Sequence, residues 1–236
     1  MRHFVYLQGF GRIDTPMISA IVCALNEEKT IKTVLDAIQN TKEIGEIIVV
    51  SDGSTDATAH IARSYTTHVI EHKKPWGKAQ SMEEAVIRAR GDILLFLDAD
   101  LYRITSTHIK KIINLFSKSG GMVVGLRDRG KIINFLANFF PLISGERILE
   151  RTIFEKTPSQ YKKGYKIEAA LNATARHLQK KVTTIRLDGV TVRTKLHKTN
   201  VIKAIYQYVF MGWHVFTALL LTPITLCLNK TSKTKK

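Results

Sequence analysis

The sequence predicts an α/β protein built on a doubly wound, mainly parallel sheet. Three observations support this class: short apolar runs recur along the chain, helix-period segments separate them, and acidic residues follow several of the runs. Strands that alternate with helices form parallel sheets, which bind ligands beyond the carboxyl ends of their strands. With 236 residues, 44% of them hydrophobic, the chain is long enough for one large domain with a buried core.

The first strand–helix unit follows a lead-in predicted over residues 1–16. Ile18–Leu25 is predicted as a buried strand, because it is apolar and short. A helix is predicted next, since apolar residues recur there at intervals of three and four: Ile31, Val34, Leu35 and Ile38. We expect Asn26 to cap this helix, and Glu27 and Glu28 to interact favourably with its dipole.

The same alternation continues to residue 126 and then changes. The further predicted strands are Glu46–Ser51, His68–Glu71, Asp92–Leu97 and Met122–Leu126. The helices predicted between them are one that ends near Tyr65, Gly77–Arg90 and Ser106–Ser117. Beyond residue 127 we predict helices at Lys131–Phe140 and Gly164–Lys181, and a strand or hairpin at Val182–Val192. We therefore expect a single domain over residues 17–200.

Acidic residues follow three of the predicted strands. Asn26-Glu27-Glu28 follows the first, Asp52 follows the second, and Asp98-Ala99-Asp100 follows the central one. In extended geometry Asp98 and Asp100 project to the same side, where two like charges repel unless a cation neutralises them. Mg²⁺ or Mn²⁺ would do so, held by these carboxylates and by substrate phosphates. The alternative interpretation is a solvated turn after a strand.

The turn after the second strand has a structural and a functional interpretation. Ser54, Thr55 and Asp56 are typical of a helix cap and first turn, which accounts for them structurally. Asp52 closes an apolar strand, so we expect it to accept hydrogen bonds from a base or a ribose. Of Glu27 and Glu28, at least one is expected to act only on the helix dipole.

Together these segments resemble the family 2 glycosyltransferases and their relatives with the GT-A fold, the fold of nucleotide-diphospho-sugar transferases. The matching elements are Ala24-Leu25-Asn26-Glu27-Glu28, Val50 through Asp56, Gly77-Lys78, and Gly91-Asp92 through Asp98-Ala99-Asp100. The resemblance implies a metal-dependent transfer of a sugar from a nucleotide-sugar donor, such as a UDP- or GDP-sugar. It also implies a nucleotide-sugar half over residues 17–127 and an acceptor half over residues 128–200.

The resemblance assigns roles to particular residues of this sequence. Those implied to bind the donor are Ala24, Asn26, Glu28, Asp52, Lys78 and Asp98. Lys78 is implied to approach the base or the diphosphate. Asp98 and Asp100 form the Asp-x-Asp motif, which positions Mg²⁺ or Mn²⁺ on the diphosphate. The metal then stabilises the nucleoside diphosphate as it leaves.

A looser resemblance, to the glucosyl-3-phosphoglycerate synthase group, extends further along the chain. Pro141 through Arg147 and Gly164 through Glu168 look like segments of that group, and of relatives that glycosylate polyprenyl phosphates or other lipids. By this resemblance Glu168 lies beside the transferred sugar. His197 is implied as a further metal ligand, although the local pattern departs from the group's and a solvent-facing histidine is the alternative.

The same comparison suggests residues on the acceptor side. Glu146 is interpreted either as the acceptor-side base or as a partner of Arg147. Arg127, Arg129 and Lys131 fall where the synthase group binds the phosphate of its acceptor, which they would hold by charge-assisted hydrogen bonds. The alternative is a solvated basic loop.

Charge and hydropathy divide the chain unevenly. The net charge of +16 consists of −3 over residues 1–100 and +19 over residues 101–236, so the second half would attract an anionic ligand or surface. No Lys, Arg, Asp or Glu lies in Ala204–Leu228, a length that could cross a bilayer. A single span would oppose the positive-inside tendency, so an apolar, membrane-associating helix that is in-plane or re-entrant is favoured over residues 201–236. A buried helix or a homodimer interface is the alternative.

These observations predict an enzyme that transfers a hexose to a phosphorylated or lipid acceptor at the cytoplasmic face of the cell membrane. The alternative is a cytoplasmic enzyme similar to glucosyl-3-phosphoglycerate synthase. A nucleotidyltransferase is disfavoured, because Ala24–Glu28 has no glycine for a phosphate loop. Nucleic-acid binding is not expected, since the best-organised motifs are acidic. The N-terminus shows no secretory signal, and Cys23 and Cys227 have no metal spacing, so we expect a reducing compartment.

Overall fold

The computed structural model describes residues 16–128, 144–162, 166–192 and 225. Its strands are β1 (Ile18–Ala24), β2 (Ile44–Asp52), β3 (Val69–His72), β4 (Ile93–Asp98), β5 (Leu101–Tyr102), β6 (Met122–Arg127), β7 (Arg147–Glu150), β8 (Val182–Leu187) and β9 (Thr191–Val192). Its α-helices are α1 (Ile31–Gln39), α2 (Thr58–Arg63), α3 (Lys78–Arg88), α4 (Ser106–Ser119), α5 (Arg151–Lys156) and α6 (Lys166–His177), with a 3₁₀ turn at Ser159–Tyr161.

Seven strands form the main sheet, in the order β3-β2-β1-β4-β7-β6-β8. Strand β1 runs parallel to β2 and β4, and the pairs β2–β3 and β6–β8 are also parallel. Only β7 runs antiparallel to its neighbours in this sheet, β4 and β6. The predicted mainly parallel sheet is therefore confirmed. Strand β7 was not predicted, because Arg147-Ile-Leu-Glu150 is too short and too polar to show a strand period.

Two hydrophobic cores cover the two faces of the sheet. One face packs against α1 and α4, and its buried residues include Val22, Leu35, Leu95, Leu97 and Ile112. The other packs against α3, α5 and α6, and includes Ile21, Met82, Leu94, Phe96 and Phe154. Successive residues of β4 thus point into opposite cores, as expected of a parallel strand covered by helices on both sides.

The start of α1 differs from the prediction. The helix begins at Ile31 with Thr30 as its N-cap residue, and its first turn contains no acidic side chain. A preceding turn separates Asn26 from the helix, since the amides of Thr30 and Ile31 donate to the carbonyl of Glu27 at 3.1 and 2.9 Å. The predictions that Asn26 caps α1 and that Glu27 and Glu28 act on its dipole are wrong for this physical reason.

The later part of the chain is confirmed only where it is described. The helix predicted at Gly164–Lys181 is observed as Lys166–His177, and Val182–Val192 forms two strands that belong to different sheets, since β9 pairs with β5. The helix predicted at Lys131–Phe140 lies outside the described residues. So does the apolar segment at residues 201–236 except for Thr225, whose hydroxyl is 3.2 Å from the side-chain amide of Gln160. In the described ranges, none of the helices combines the length and apolarity that crossing a bilayer requires. The predicted domain boundaries stay a prediction.

A buried carboxylate joins β1, β2 and the segment before β4 at the end of the sheet opposite the acidic clusters. Glu46, only 7% exposed, accepts hydrogen bonds from the Ser19 hydroxyl at 2.5 Å and from the Arg90 amide at 2.6 Å. Its other oxygen is 3.1 Å from Nε of Arg90. Burial by itself would raise the pKa of Glu46, but these hydrogen bonds outweigh it and hold the pKa below its usual value.

We predict that Glu46→Gln lowers the free energy of unfolding by about 2 kcal/mol at neutral pH, because charged hydrogen bonds are lost. A lowered folded-state pKa stabilises the protein above the unfolded value, about 4.3, and this contribution disappears as the pH falls through the folded-state pKa. Denaturant unfolding of both proteins between pH 3 and 7 should therefore show curves that converge at the acid end. The control is Glu43→Gln at an exposed position; an equal loss there, or no convergence in acid, would contradict the assignment.

Candidate active site

The carboxyl ends of the parallel strands bring the acidic clusters to one edge of the sheet. Asp52 ends β2 and Asp98 ends β4, with β1 between these strands. Strand β6 has the same direction as β4, because β7 is antiparallel to both, and Arg127 is its last residue. Glu146 precedes β7 and so enters the sheet from this edge. The topology thus collects predicted donor-side and acceptor-side residues in one place.

Lys78 links the central Asp-x-Asp motif to helix α6. Its ammonium group is 2.6 Å from Oδ1 of Asp98 and 3.2 Å from Oε1 of Glu168, which lies in the first turn of α6. Burial alone would lower the pKa of Lys78, but the charges of Asp98 and Glu168 outweigh it and raise that pKa. The resemblance therefore selected three residues that the structure brings into direct contact.

Arg127 faces the other side of the same carboxylates. Its guanidinium group is 3.8 Å from Oδ2 of Asp98, 3.9 Å from Oδ1 of Asp100 and 3.4 Å from Oε2 of Glu146. Burial would raise the pKa of Asp98, but Lys78 and Arg127 outweigh it and hold the pKa below its usual value. The predicted acceptor-phosphate residue Arg127 is thus placed at the acidic cluster, and its alternative as a solvated loop residue is not supported, since its side chain is 12% exposed.

Two of the carboxylates are less well compensated. Burial and the charge of Asp98 raise the pKa of Asp100, and the same two causes raise the pKa of Glu146. One oxygen of each, Oδ1 of Asp100 and Oε1 of Glu146, is buried without a hydrogen-bond partner in the described part of the chain. Buried carboxylate oxygens are costly unless a hydrogen bond or a cation compensates them. A cation or a hydrogen-bond donor at these oxygens would compensate their burial.

The donor set fits a divalent cation that is shared with a substrate. Asp98 and Asp100 offer two carboxylates, which is the protein contribution that Mg²⁺ commonly receives when substrate phosphates complete its shell. Among residues 16–128, 144–162 and 166–192 there is no group of three or more His, Cys, Asp or Glu side chains that could hold a metal by itself. The further predicted ligand, His197, lies outside these ranges, as do Arg129 and Lys131.

The loop before β7 is packed directly against Asp98. A Cβ atom added to Gly145 would lie 2.5 Å from Cγ of Asp98, so only glycine leaves room for this carboxylate. The side chains of the next two residues have different partners. The Glu146 carboxylate accepts a hydrogen bond from the Ser144 hydroxyl at 2.5 Å and faces Arg127. The Arg147 guanidinium donates to the carbonyls of Ser144 and Glu168. Arg147 is fully buried and ties this loop to α6; burial lowers its pKa.

The predicted nucleotide-binding loop after β1 is locked to the loop after β2. Oδ1 of Asn26 accepts a hydrogen bond from the Thr55 amide at 2.8 Å, and Oε2 of Glu28 accepts one from the Ala57 amide at 3.2 Å. In return the Glu28 amide donates to Asp56. Asn26 and Glu28 therefore shape the loop, a role that sequence reasoning did not give them, while Ala24 is the buried last residue of β1.

Asp52 contacts Gly77, which belongs to a matching element of the sequence, and also His72 and Trp76, which sequence reasoning missed. Its carboxylate accepts hydrogen bonds from the amides of Trp76 and Gly77, both at 2.8 Å, and lies 2.7 Å from Nδ1 of His72. The second ring nitrogen of His72 is 2.6 Å from Oε2 of Glu84. The sequence could have indicated His72 by its position at the carboxyl end of β3. It was overlooked because this strand was predicted to end one residue earlier, at Glu71.

The family assignment follows from a comparison of sequences. A sequence model of the family described as glycosyl transferase family 2 matches residues 19–182 of the chain. Among curated proteins, 4,4'-diaponeurosporenoate glycosyltransferase of Staphylococcus aureus (strain USA300) is 32% identical over 108 residues. The aligned part is 44% of this chain but only 29% of that relative, so the chain matches less than a third of the relative's length.

Solved structures confirm the predicted GT-A fold. Glucosyl-3-phosphoglycerate synthase from Mycobacterium tuberculosis, in complex with phosphoglyceric acid, is similar with a TM-score of 0.70 at 23% identity, over 88% of this chain and 80% of that chain. The same protein in complex with Mn²⁺, uridine-diphosphate-glucose and phosphoglyceric acid gives a TM-score of 0.69 at 22% identity over 88% and 80% of the two chains. At this level of identity the likeness establishes the fold.

Proposed function

The chain belongs to glycosyl transferase family 2, and from this membership we propose that it transfers a hexose from a nucleotide-sugar donor in a metal-dependent reaction. The observation that carries the proposal is the cluster of Asp98, Asp100, Lys78 and Arg127 at the carboxyl edge of the sheet. Two adjacent carboxylates lie beside the ammonium group of Lys78, and one oxygen of Asp100 is buried with no hydrogen-bond partner among the described residues. This arrangement suits a diphosphate that arrives with a divalent metal.

Each residue of the site has a definite task in this proposal. Asp98 and Asp100 hold Mg²⁺ or Mn²⁺, with His197 as the predicted further ligand, and the metal supplies Lewis-acid stabilisation of the leaving nucleoside diphosphate. Lys78 keeps Asp98 ionised and oriented through its 2.6 Å contact and adds positive charge beside the diphosphate. The loops of Ala24, Asn26, Glu28 and Asp52 form the nucleotide side of the pocket.

The two buried glutamates, Glu168 and Glu146, are assigned to the sugar and to the acceptor hydroxyl. Glu168 is held by Lys78 at 3.2 Å and so lies near the position of the sugar that is attached to the diphosphate. The pKa of Glu146 is raised, and its Oε1 is buried with no hydrogen-bond partner among the described residues, which suits a group that accepts a proton from the acceptor hydroxyl. Both assignments rest on the contacts of these side chains with Lys78 and Arg127.

We propose a phosphorylated or lipid acceptor, bound with Arg127 and Arg129 on the phosphate. The basic second half of the chain and its uncharged segment at residues 204–228 support an acceptor at the cytoplasmic face of an anionic membrane. The alternative is a cytoplasmic enzyme with a small acceptor, supported by the structural similarity to a protein crystallised with phosphoglyceric acid. In that alternative, the uncharged segment is a buried helix or a homodimer interface.

The proposed function predicts metal-dependent release of one nucleoside diphosphate from a panel of UDP- and GDP-sugars. Removal of metal with EDTA should lower the rate by about 100-fold or more, because the leaving group loses several kcal/mol of stabilisation. Two reactions then distinguish the acceptors: vesicles that contain polyprenyl phosphate and anionic lipid, and 3-phosphoglycerate without lipid. Acceleration by the vesicles supports the membrane proposal, and acceleration by 3-phosphoglycerate supports the alternative. Absence of both turnover and metal-dependent nucleotide binding would contradict the enzyme assignment.

A further inference from the structure

A half-exposed tryptophan stands at the edge of the sheet where the donor-side residues meet. Trp76 is 56% exposed, although large apolar side chains in the described residues are mostly buried. It follows β3 in the chain and precedes Lys78, the residue that contacts Asp98, by two positions. An exposed indole beside a ligand site suggests a contact surface for a ligand.

The backbone that carries this tryptophan is fixed on both sides. The amides of Trp76 and Gly77 donate to the two carboxylate oxygens of Asp52, each at 2.8 Å. The loop after β2 packs closely against Pro75, the residue before Trp76, since a Cβ atom added to Gly53 would lie 2.6 Å from the nitrogen of Pro75. Such a loop presents its side chain in one position before any ligand arrives, which lowers the entropic cost of binding.

The indole ring is also supported from one side. The ring of His72 stacks on it with centroids 4.0 Å apart and an angle of 17° between the planes. Both nitrogens of His72 lie within hydrogen-bond distance of carboxylates, Asp52 at 2.7 Å and Glu84 at 2.6 Å. Burial alone would lower the pKa of His72, but these two contacts outweigh it and raise that pKa, which favours the charged ring. A buried cation under an indole is attracted to the ring, and this contact holds the indole flat against His72.

We propose that the exposed face of Trp76 is the stacking site for the base of the nucleotide-sugar donor, with His72 and Glu84 as positioning residues. This inference rests on the proposed function. The diphosphate lies at Asp98 on β4, and the base must then lie toward β1, β2 and β3, where Asp52 holds Trp76. A flat, exposed and rigidly backed indole matches the π-face of a base, which stacks on aromatic side chains.

If Trp76 stacks on the base, its fluorescence should change when nucleotide binds. The chain contains two tryptophans, so a Trp213→Phe background leaves Trp76 as the sole source of indole fluorescence. Titration of this full-length protein with UDP and with GDP, in Mn²⁺, should give saturable quenching for the nucleotide that binds. In the same metal, inorganic pyrophosphate should bind without the quenching that a stacked base causes.

The affinity of variants separates base stacking from a general loss of structure. Trp76→Ala should weaken binding of the preferred nucleotide about 5- to 150-fold and leave pyrophosphate binding unchanged, whereas Trp76→Phe should keep most of the affinity. The matched control is Ile87→Ala, which removes another exposed apolar side chain (78% exposed). Ile87 lies in the last turn of α3, about 14 Å along the helix axis from its first residue, Lys78. This control substitution should change neither affinity.

A double-mutant cycle tests the positioning residues. Glu84→Gln should weaken nucleotide binding in the wild-type background, but should add nothing in the Trp76→Ala background if it acts through the indole. Unchanged nucleotide affinity in Trp76→Ala would overturn the proposal while the proposed function stands. A Trp76 signal that responds to anionic vesicles and not to nucleotide would also overturn it, in favour of a membrane contact. No nucleotide binding by the unmodified chain would contradict the proposed function, and this inference with it.

Discussion

Asp100→Asn should reduce sugar transfer about 10³-fold, a loss of about 4 kcal/mol of transition-state stabilisation, while the protein stays folded. The amide keeps the size of the carboxylate but is a much weaker ligand for Mg²⁺ or Mn²⁺. Folding should be unaffected or slightly favoured, because Asp100 is partly buried beside the like charge of Asp98 and its pKa is raised by both effects. Initial rates with the preferred donor in saturating Mn²⁺, compared with the melting temperature, give both quantities.

The control for this substitution is Asp92, next to the other end of β4. Asp92 precedes β4 at the opposite end of the sheet and is exposed, so Asp92→Asn should retain full activity. Metal-dependent binding of the nucleoside diphosphate supplies a second measurement, which should weaken in Asp100→Asn and stay unchanged in Asp92→Asn. If Asp100→Asn transfers sugar at the wild-type rate, or if its remaining activity is insensitive to EDTA, the metal assignment to the Asp-x-Asp motif is wrong.

The edge of the sheet that carries the site was predictable from the sequence for a topological reason. In parallel strands the carboxyl ends meet at one edge, so residues that directly follow apolar runs are neighbours even when they lie far apart in the chain. Asp52 and Asp98 were located in this way, and the structure places both there. The resemblance added Lys78 and Glu168, whose mutual contact joins residues separated by 90 positions.

The partners of individual side chains could not be predicted. They depend on contacts between segments that are far apart in the chain, and hydrophobic periodicity does not show how such segments are placed relative to one another. Strand β7 has no alternating pattern, yet it reverses the sheet direction locally and brings Glu146 to Arg127. Glu28 illustrates the same limit: it lies in a motif that predicts a nucleotide contact, but its carboxylate also accepts a hydrogen bond from a backbone amide of the next loop. His72 escaped notice because its importance comes from two partners, Asp52 and Glu84, in other elements.

Gly145→Ala should lower activity by about 100-fold or more, although it changes no charged or hydrogen-bonding group. The added methyl group would overlap the carboxylate of Asp98, whose Cγ would be 2.5 Å away. Asp98 would have to leave its 2.6 Å contact with Lys78, and a displacement of about 1 Å at a reacting centre costs on the order of 10² in rate. The overpacking itself should cost about 1–3 kcal/mol of stability, so rates must be measured well below the melting temperature.

The contrasting variant is Gly189→Ala, in the turn between β8 and β9. Gly189 has a φ of +76°, and no atom of the described residues lies within 4 Å of the added Cβ, so its substitution strains the backbone without touching the described site residues. It should lose about 1 kcal/mol of stability and no activity. A Gly145→Ala protein with wild-type turnover would show that the position of Asp98 is not critical. Loss of turnover in Gly145→Ala with retention in Gly189→Ala would instead identify the close packing of this loop on Asp98 as a requirement for transfer, a requirement that the charges of the site alone do not reveal.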